Sequence, residues 1–350
     1  MISINGTYLT RRLYTPTVTA VVVPAGPVSP PAPAPTSSVY TLAGVDLSSF
    51  GIIAAQAPDS NLAITGHLDY PKRLGKTEHP WGDQNGAEPY VSAGEIFHGG
   101  RDIDFHFLLQ AASVDAAYVK VFELFVFFDG FTDLVPLACA FGTWQVMVRD
   151  EIEVKDLGGG WCAGMIPFRE PVVDLAGVIP TAPDVDIVPG IDAVSWSSLG
   201  FILVDFREIG IHSGGLKGLL NRPKPKGGDA LAYFTEPYAV TKTATREYTL
   251  GGVIEAATYA ELKTVVTGLY ALFTQPGARV IYLNSGLIRI VYCDKGFTVN
   301  QVIVNNKATC ALSITLTEGT EAEDDNWLFL GDAVGNYVVS TAGQKILIRI

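Results

Sequence analysis

Two stretches of the chain carry the same helical stripe. Val114, Ala117, Val121, Leu124 and Phe128 recur at spacings of three and four, and Tyr259, Leu262, Val266, Leu269 and Phe273 repeat that spacing position for position. The spacing predicts helices over 114–128 and 259–273. Their starts agree: Ser113 is placed to cap the first, and Thr258 with Glu261 makes a capping-box pattern at the second. Period-two alternation follows each helix, in Thr143, Gln145 and Arg149 against Trp144, Val146 and Val148, and again in 287–292. Each half closes on a further strand, near Cys162 to Phe168 and Ala308 to Leu316. One helix against one face of an antiparallel sheet or sandwich is the economical architecture for that order. The 36 glycines, mostly between strand-like runs, fit a turn-rich β protein.

The chain is thus written twice, with a separation of about 145 to 152 positions. Ser48-Ser49-Phe50-Gly51-Ile52-Ile53 is answered by Ser197-Ser198-Leu199-Gly200-Phe201-Ile202. Gly66 to Lys72 is answered by Gly218 to Lys224, and Arg101 to Phe105 by Arg246 to Leu250. The organisation expected is a Pro-rich arm over 1–38, a first domain over 39–170, a linker over 171–189, a second domain over 190–319 and a C-terminal β extension over 320–350. Six prolines between Pro24 and Pro35 favour an extended polyproline arm. In the tail, Glu321 to Asp325 reads as an acidic hinge, and Asn336 to Ser340 and Lys345 to Ile350 as strands that add to a repeat's edge or pair with another subunit.

Charge narrows the function. A net charge of −12 over 350 residues argues against gripping nucleic acid, which depends on Lys and Arg neutralising phosphates. Cys139, Cys162, Cys293 and Cys310 show no CxxC spacing and read as buried free thiols, with Cys162 and Cys310 at matching places in the two copies. No apolar run approaches the ~20 residues of a membrane helix, and Ala20 to Val23 is too short and β-branched for a signal peptide.

Candidate chemistry is sparse. His67, His79, His98, His106 and His212 lie in no metal-ligand spacing, and no nucleophile elbow, phosphate loop or dinucleotide fingerprint occurs. No catalytic residue, cofactor or metal is expected. Gly158-Gly159-Gly160 reads as a turn. Asp102 and Asp104 share one strand face and read as a solvated or interface pair; a hydrolase built on them and His106 is the weakest alternative. The segment Asp69 to Tyr90 mixes Lys72, Arg73, Glu78, His79, Trp81 and Tyr90 in a Gly/Pro-rich loop, the content an interface uses. With Arg101 and Asp102, those six are the candidate subunit-interface residues. A carbohydrate-binding module pair, stacking sugars on Trp81, Tyr90 and Trp161, is the alternative from another class.

The order Gly44-Val45-Asp46-Leu47-Ser48-Ser49-Phe50-Gly51-Ile52, then Leu68-Asp69-Tyr70-Pro71-Lys72-Arg73 with Thr77-Glu78-His79-Pro80-Trp81, then Phe97-His98-Gly99-Gly100-Arg101-Asp102-Ile103, resembles distal tail proteins of long-tailed bacteriophages. The resemblance covers mainly the first copy. It implies a tail-tube-like fold, a β-sandwich or small barrel with a flanking helix, whose subunits join into a ring with DNA passing through the lumen. It further implies a virion tail-tip location after assembly in the host cytoplasm, a homo-oligomer of three or six chains, and contacts with tail-tube and tip proteins. On that picture the loop Asp69 to Tyr90 is an arm embracing the next subunit. A tail-tube or baseplate-hub protein with duplicated tube domains is the nearest alternative. An acidic lumen that repels phosphates would let DNA slide.

Overall fold

The computed structural model describes residues 2–4, 7–9, 39–80, 86–179, 189–192, 194–209, 245–282, 288–319, 327–329 and 347–349. The N-terminal residues supply β1 (Ile2–Ile4) and β2 (Thr7–Leu9), an antiparallel pair. The first copy then runs β3 (Thr41–Leu42), β4 (Val45–Asp46), a 3-10 turn (Leu47–Phe50), β5 (Ile52–Ala54), β6 (Ile64–Thr65), β7 (Glu78–His79), β8 (Glu88–Pro89), β9 (Arg101–Gln110), α1 (Val114–Asp129), β10 (Val135–Cys139), β11 (Gly142–Val148), β12 (Glu153–Gly158) and β13 (Trp161–Glu170). The second follows with β14 (Gly190–Ile191), β15 (Val194–Ser195), β16 (Phe201–Ile209), β17 (Glu247–Ala256), α2 (Tyr259–Thr274), β18 (Arg279–Tyr282), β19 (Ile288–Tyr292), β20 (Phe297–Val304) and β21 (Ala308–Glu318).

The two sheets have one topology. The first is ordered β4-β3-β10-β11-β13-β9-β5 and the second β15-β14-β18-β19-β21-β17-β16, strand for strand. All named pairings are antiparallel, and in each copy the last strand forks, β13 to β11 and β12, β21 to β19 and β20. The register carries the duplication to single residues. Ile52 faces Leu109 as Phe201 faces Ile254, and Cys162 lies opposite Leu109 as Cys310 lies opposite Ile254. Gly51 and Gly200 end equivalent turns at φ 76° and 75°, where a side chain would be strained, and each donates its N–H to a serine carbonyl three residues back.

The helices begin where the caps predict. Ser113 Oγ accepts from the Ala116 N–H at 3.2 Å, and Thr258 Oγ1 from the Glu261 N–H at 3.2 Å. Glu261 reaches back one residue beyond the usual box, to the Ala257 N–H at 3.1 Å. The buried stripes are Ala117, Val121, Leu124 and Phe128 on α1, and Leu262, Val266, Leu269 and Phe273 on α2. Each stripe packs on the sheet face formed by alternate residues, Ile103, Phe105, Phe107 and Leu109 in β9, and Tyr248, Leu250 and Ile254 in β17. Among the described residues the protein is mainly β with one helix per copy, as the pattern requires.

Outside the two sheets the described residues add three observations. The arm opens with the paired strands β1 and β2; residues 10–38, its proline stretch included, lie outside the described residues. The tail strands β22 (Trp327–Phe329) and β23 (Leu347–Arg349), expected on a repeat's edge or on another subunit, pair with each other, Trp327 opposite Arg349 and Phe329 opposite Leu347; Asn336 to Ser340 lies outside the described residues. In the linker, Leu175 and Ile179 pack on the core, and Gly177 approaches the Thr267 carbonyl so closely that a Cβ would sit 2.0 Å from it.

Candidate functional site

The feature that departs from two independent domains is the seam between them. It starts at Gly66, with φ 73°, where a Cβ would stand 2.1 Å from the Asp102 carbonyl oxygen. Glycine lets the chain leave the sheet there and lay residues 67–73 against the second copy. Tyr70 and Phe297 exchange two backbone hydrogen bonds, at 3.0 and 3.1 Å, and their rings stack at 5.1 Å. Tyr270 and Phe273 from α2 complete the cluster, with ring centroids 5.5 and 6.3 Å from that of Tyr70. Further along, the Arg73 N–H donates to the Asp294 carbonyl at 2.8 Å. At the other end the Asn61 side-chain amide donates to the Val304 carbonyl and accepts from its N–H, both at 2.8 Å, copying a strand pairing. The two cores therefore merge into one apolar cluster.

Within this apolar boundary lies a polar chain. Arg101 Nε donates to Glu170 at 2.6 Å, and its Nη1 donates to the Tyr270 hydroxyl at 3.2 Å. Tyr270 in turn donates to the Leu68 carbonyl. His67 shares a 2.8 Å hydrogen bond with the Tyr259 hydroxyl, while its Nδ1 is buried without a partner. Burial, aided by the charges of Arg101 and Lys263, pushes the imidazole pKa down to about 3. Asp69 Oδ1 accepts from the Val299 N–H at 2.7 Å, yet burial outweighs that bond and pushes its pKa up to about 7.

These shifts act on stability with opposite signs. Asp69 has a folded pKa above its ordinary 3.8, so its contribution to stability falls as pH rises from about 4 to about 7. His67 has a folded pKa below its ordinary 6.5, so its contribution falls as pH drops from about 6.5 toward 3. Asp69→Asn keeps the Oδ1 acceptor and removes the ionisation. The variant is expected to exceed the wild type by on the order of 2 kcal/mol at pH 8 and to match it at pH 4, in urea unfolding at both pH values. An equal difference at both would show that the Asp69 carboxyl has the same pKa in the folded and unfolded chain, so that burial in the seam does not raise it.

The seam brings three of the eight predicted interface residues, Arg73, Glu78 and Arg101, against the second copy of the same chain. Arg73 is buried and donates to the carbonyls of Tyr90 and Glu95. Glu78 accepts from the Tyr292 hydroxyl, and Thr77 donates to Asp294 at 3.4 Å. His79 meets Lys76 at 2.6 Å, Tyr90 lies half-buried under the Lys76 ammonium, and Lys72 is exposed. Within the described part of the loop expected to embrace a neighbouring subunit, Tyr70 and Glu78 meet Phe297 and Tyr292 of the second copy. Trp81 lies outside the described residues, as does His212. Asp102 stands apart on the sheet face away from α1, bound by Arg149 at 2.5 Å and Arg169 at 2.8 Å. Arg149 also reaches Asp104 at 3.6 Å, so the aspartates belong to an ion-pair cluster, with His106 on the same face.

Glu170, Tyr270, Asp294 and Phe297 complete the seam and were not singled out by sequence. A signal existed for the first: Arg101 opens β9 and Arg246 directly precedes β17, while Glu170 and Glu318 close β13 and β21, giving Arg101–Glu170 and Arg246–Glu318 pairs at 2.6 and 3.7 Å. Among the described residues no group of three His, Cys, Asp or Glu could hold a metal, and no helix is long and apolar enough to cross a membrane. The cysteines are free, and burial pushes Cys162 up to about 11 and Cys293 and Cys310 up to about 12, which keeps them as inert thiols.

No protein-family model matches the sequence, and neither does any curated protein. Among solved structures the chain is similar to the crystal structure of SPP1 Dit (gp 19.1), described as a paradigm of the hub adsorption apparatus in Gram-positive infecting phages. The TM-score is 0.30 and the identity 9%, over 81% of this chain and 98% of that one.

Proposed function

We propose that this chain is a structural protein of a bacteriophage tail tip, forming a ring at the distal end of the tail tube through which DNA passes and to which tip or receptor-binding proteins attach. The observation that carries the reading is the seam: one β module, written twice, is already joined side to side within a chain. Repeated lateral contact between like modules is what a ring requires. The distal-tail-like motifs of the first copy and the net charge of −12 support it, since an acidic surface lets DNA pass without holding it. The ring would sit in the virion, with tail-tube and tip proteins as its neighbours.

Native mass measurement and negative-stain electron microscopy of the purified chain test this. Closed rings of three or six chains are expected. A chain that stays monomeric at high concentration, alone and with the neighbouring tail proteins encoded beside it, would overturn the reading.

A further inference from the structure

The forked last strand of each copy carries an outer strand, β12 in the first and β20 in the second, and the two outer edges meet different elements. The strands are equivalent: Val154 lies opposite Gly164 and Val299 opposite Leu312, each two residues beyond the matched Cys162 and Cys310. In the second copy this edge is where the first copy attaches. Tyr70 exchanges two backbone hydrogen bonds with Phe297, and the Val299 N–H donates to the Asp69 carboxylate at 2.7 Å. Further along, the Val302 carbonyl accepts from the Ser60 hydroxyl at 2.6 Å and the Asn61 amide pairs with Val304. β20 is therefore a joining edge, where one module takes another through the main-chain groups that an outer strand leaves over.

In the first copy the equivalent edge meets the β1–β2 hairpin. Cα atoms of β1 come within 8 Å of those of β12, closer than the roughly 10 Å between stacked sheets, so β1 runs along the edge rather than over the face. Yet no ladder joins them: among the described residues β1 pairs with β2 alone and β12 with β13 alone. The register gives Val154 the outward N–H that Val299 spends on Asp69, and no named strand receives it. An element belonging permanently to the sheet would complete that ladder. This one is kept near by its connection, since the 29 residues over 10–38 tether it to β3 and such a tether sets an effective concentration on the order of millimolar.

We infer that the outer edge of β12 is a second joining edge, at which another copy of this chain attaches by main-chain pairing, and that the β1–β2 hairpin guards it. Seated beside β12 in the single chain, the hairpin must leave before a neighbour can pair there. A neighbour at micromolar concentration competes poorly with a tethered occupant, so the guard holds assembly back and keeps the edge from indiscriminate pairing. The inference rests on the assembly reading above and adds to it which edge is used and what keeps it closed.

Two variants of the full chain and one cross-link test this. Ser3→Pro with Tyr8→Pro breaks the hairpin, because these residues face each other and proline takes both N–H groups from the ladder. The double variant should half-assemble at a concentration about tenfold below the wild type, as its edge no longer has a tethered competitor. Ser3→Thr keeps the strand and should leave that concentration unchanged. A photo-reactive residue in place of the exposed Lys155 reports where the hairpin is. In the single chain it should link to residues 1–9 of the same chain; in the assembly, made from isotope-labelled and unlabelled chains, it should link to another chain outside its residues 1–9. A half-assembly concentration unchanged or raised in the double variant, or a link to residues 1–9 of either chain that persists in the assembly, overturns the inference and leaves the ring reading intact. If neither the wild type nor the double variant assembles, alone or with the neighbouring tail proteins, both readings fall.

Discussion

Arg101→Met is expected to lower the unfolding free energy by about 3–5 kcal/mol, because it strands partners that are buried and cannot turn to water. Arg101 is 9% and Glu170 6% exposed, and the guanidinium serves the Glu170 carboxylate, the Tyr270 hydroxyl and, at 3.4 Å, the Asp69 carbonyl. Burial already pushes the Glu170 carboxyl up, and the neighbouring arginine opposes that push. Without the arginine the carboxyl must take a proton or stay buried and charged. The loss should therefore be larger at pH 8 than at pH 5. Combining Arg101→Met with Glu170→Leu removes both charges and should restore most of the loss, since two apolar side chains replace a desolvated pair. Urea unfolding of the two single variants and the double, at both pH values, gives the coupling directly. A loss under about 1 kcal/mol for Arg101→Met, independent of pH, would mean that the pair is hydrated and does not hold the seam.

What could be read from sequence and what could not divides along the range of the interactions. Helix stripes and caps are local, so Ser113 and Thr258 announced themselves within a few residues. The duplication multiplied that legibility, since each element was seen twice, down to the paired Cys162 and Cys310. The seam was not legible, because its bonds join residues as far apart as Asp69 and Val299, separated by 230 positions, and a buried tyrosine such as Tyr70 carries no mark of which copy it faces. Because Asp69 to Tyr90 is rich in charge and aromatics, its interface character was visible, but nothing in it specifies that the partner is the same chain. The pairing of β1 and β2 is legible in the sequence, where Asn5-Gly6, a strong two-residue turn dipeptide, lies between the two short runs. Glu170 and Glu318 were likewise written twice, at strand ends that local patterning weighs lightly.

If the seam couples the copies, removing its central ring should uncouple them. Tyr70→Ala is expected to cost about 3–5 kcal/mol, the range for deleting a large buried aromatic side chain. Tyr70 is 2% exposed and its ring meets Phe297, Tyr270 and Phe273 together, so the cavity would open where the two cores merge rather than inside either one. Each copy keeps its own helix stripe and sheet, which leaves two units able to fold with little joining them. The single calorimetric transition expected of the wild type should then separate into two, the condition under which one unfolding free energy ceases to be defined. Tyr70→Phe separates packing from hydrogen bonding. It keeps the rings and loses only the hydroxyl contacts to His98 at 2.8 Å and Thr274 at 3.3 Å, for about 1 kcal/mol and one transition. A split in Tyr70→Ala that is absent in Tyr70→Phe assigns the coupling to apolar contact across the seam. A single transition in both, shifted by equal amounts, would mean that the copies are held together elsewhere, and the pairing of the Asn61 side-chain amide with the Val304 backbone would be the next contact to cut.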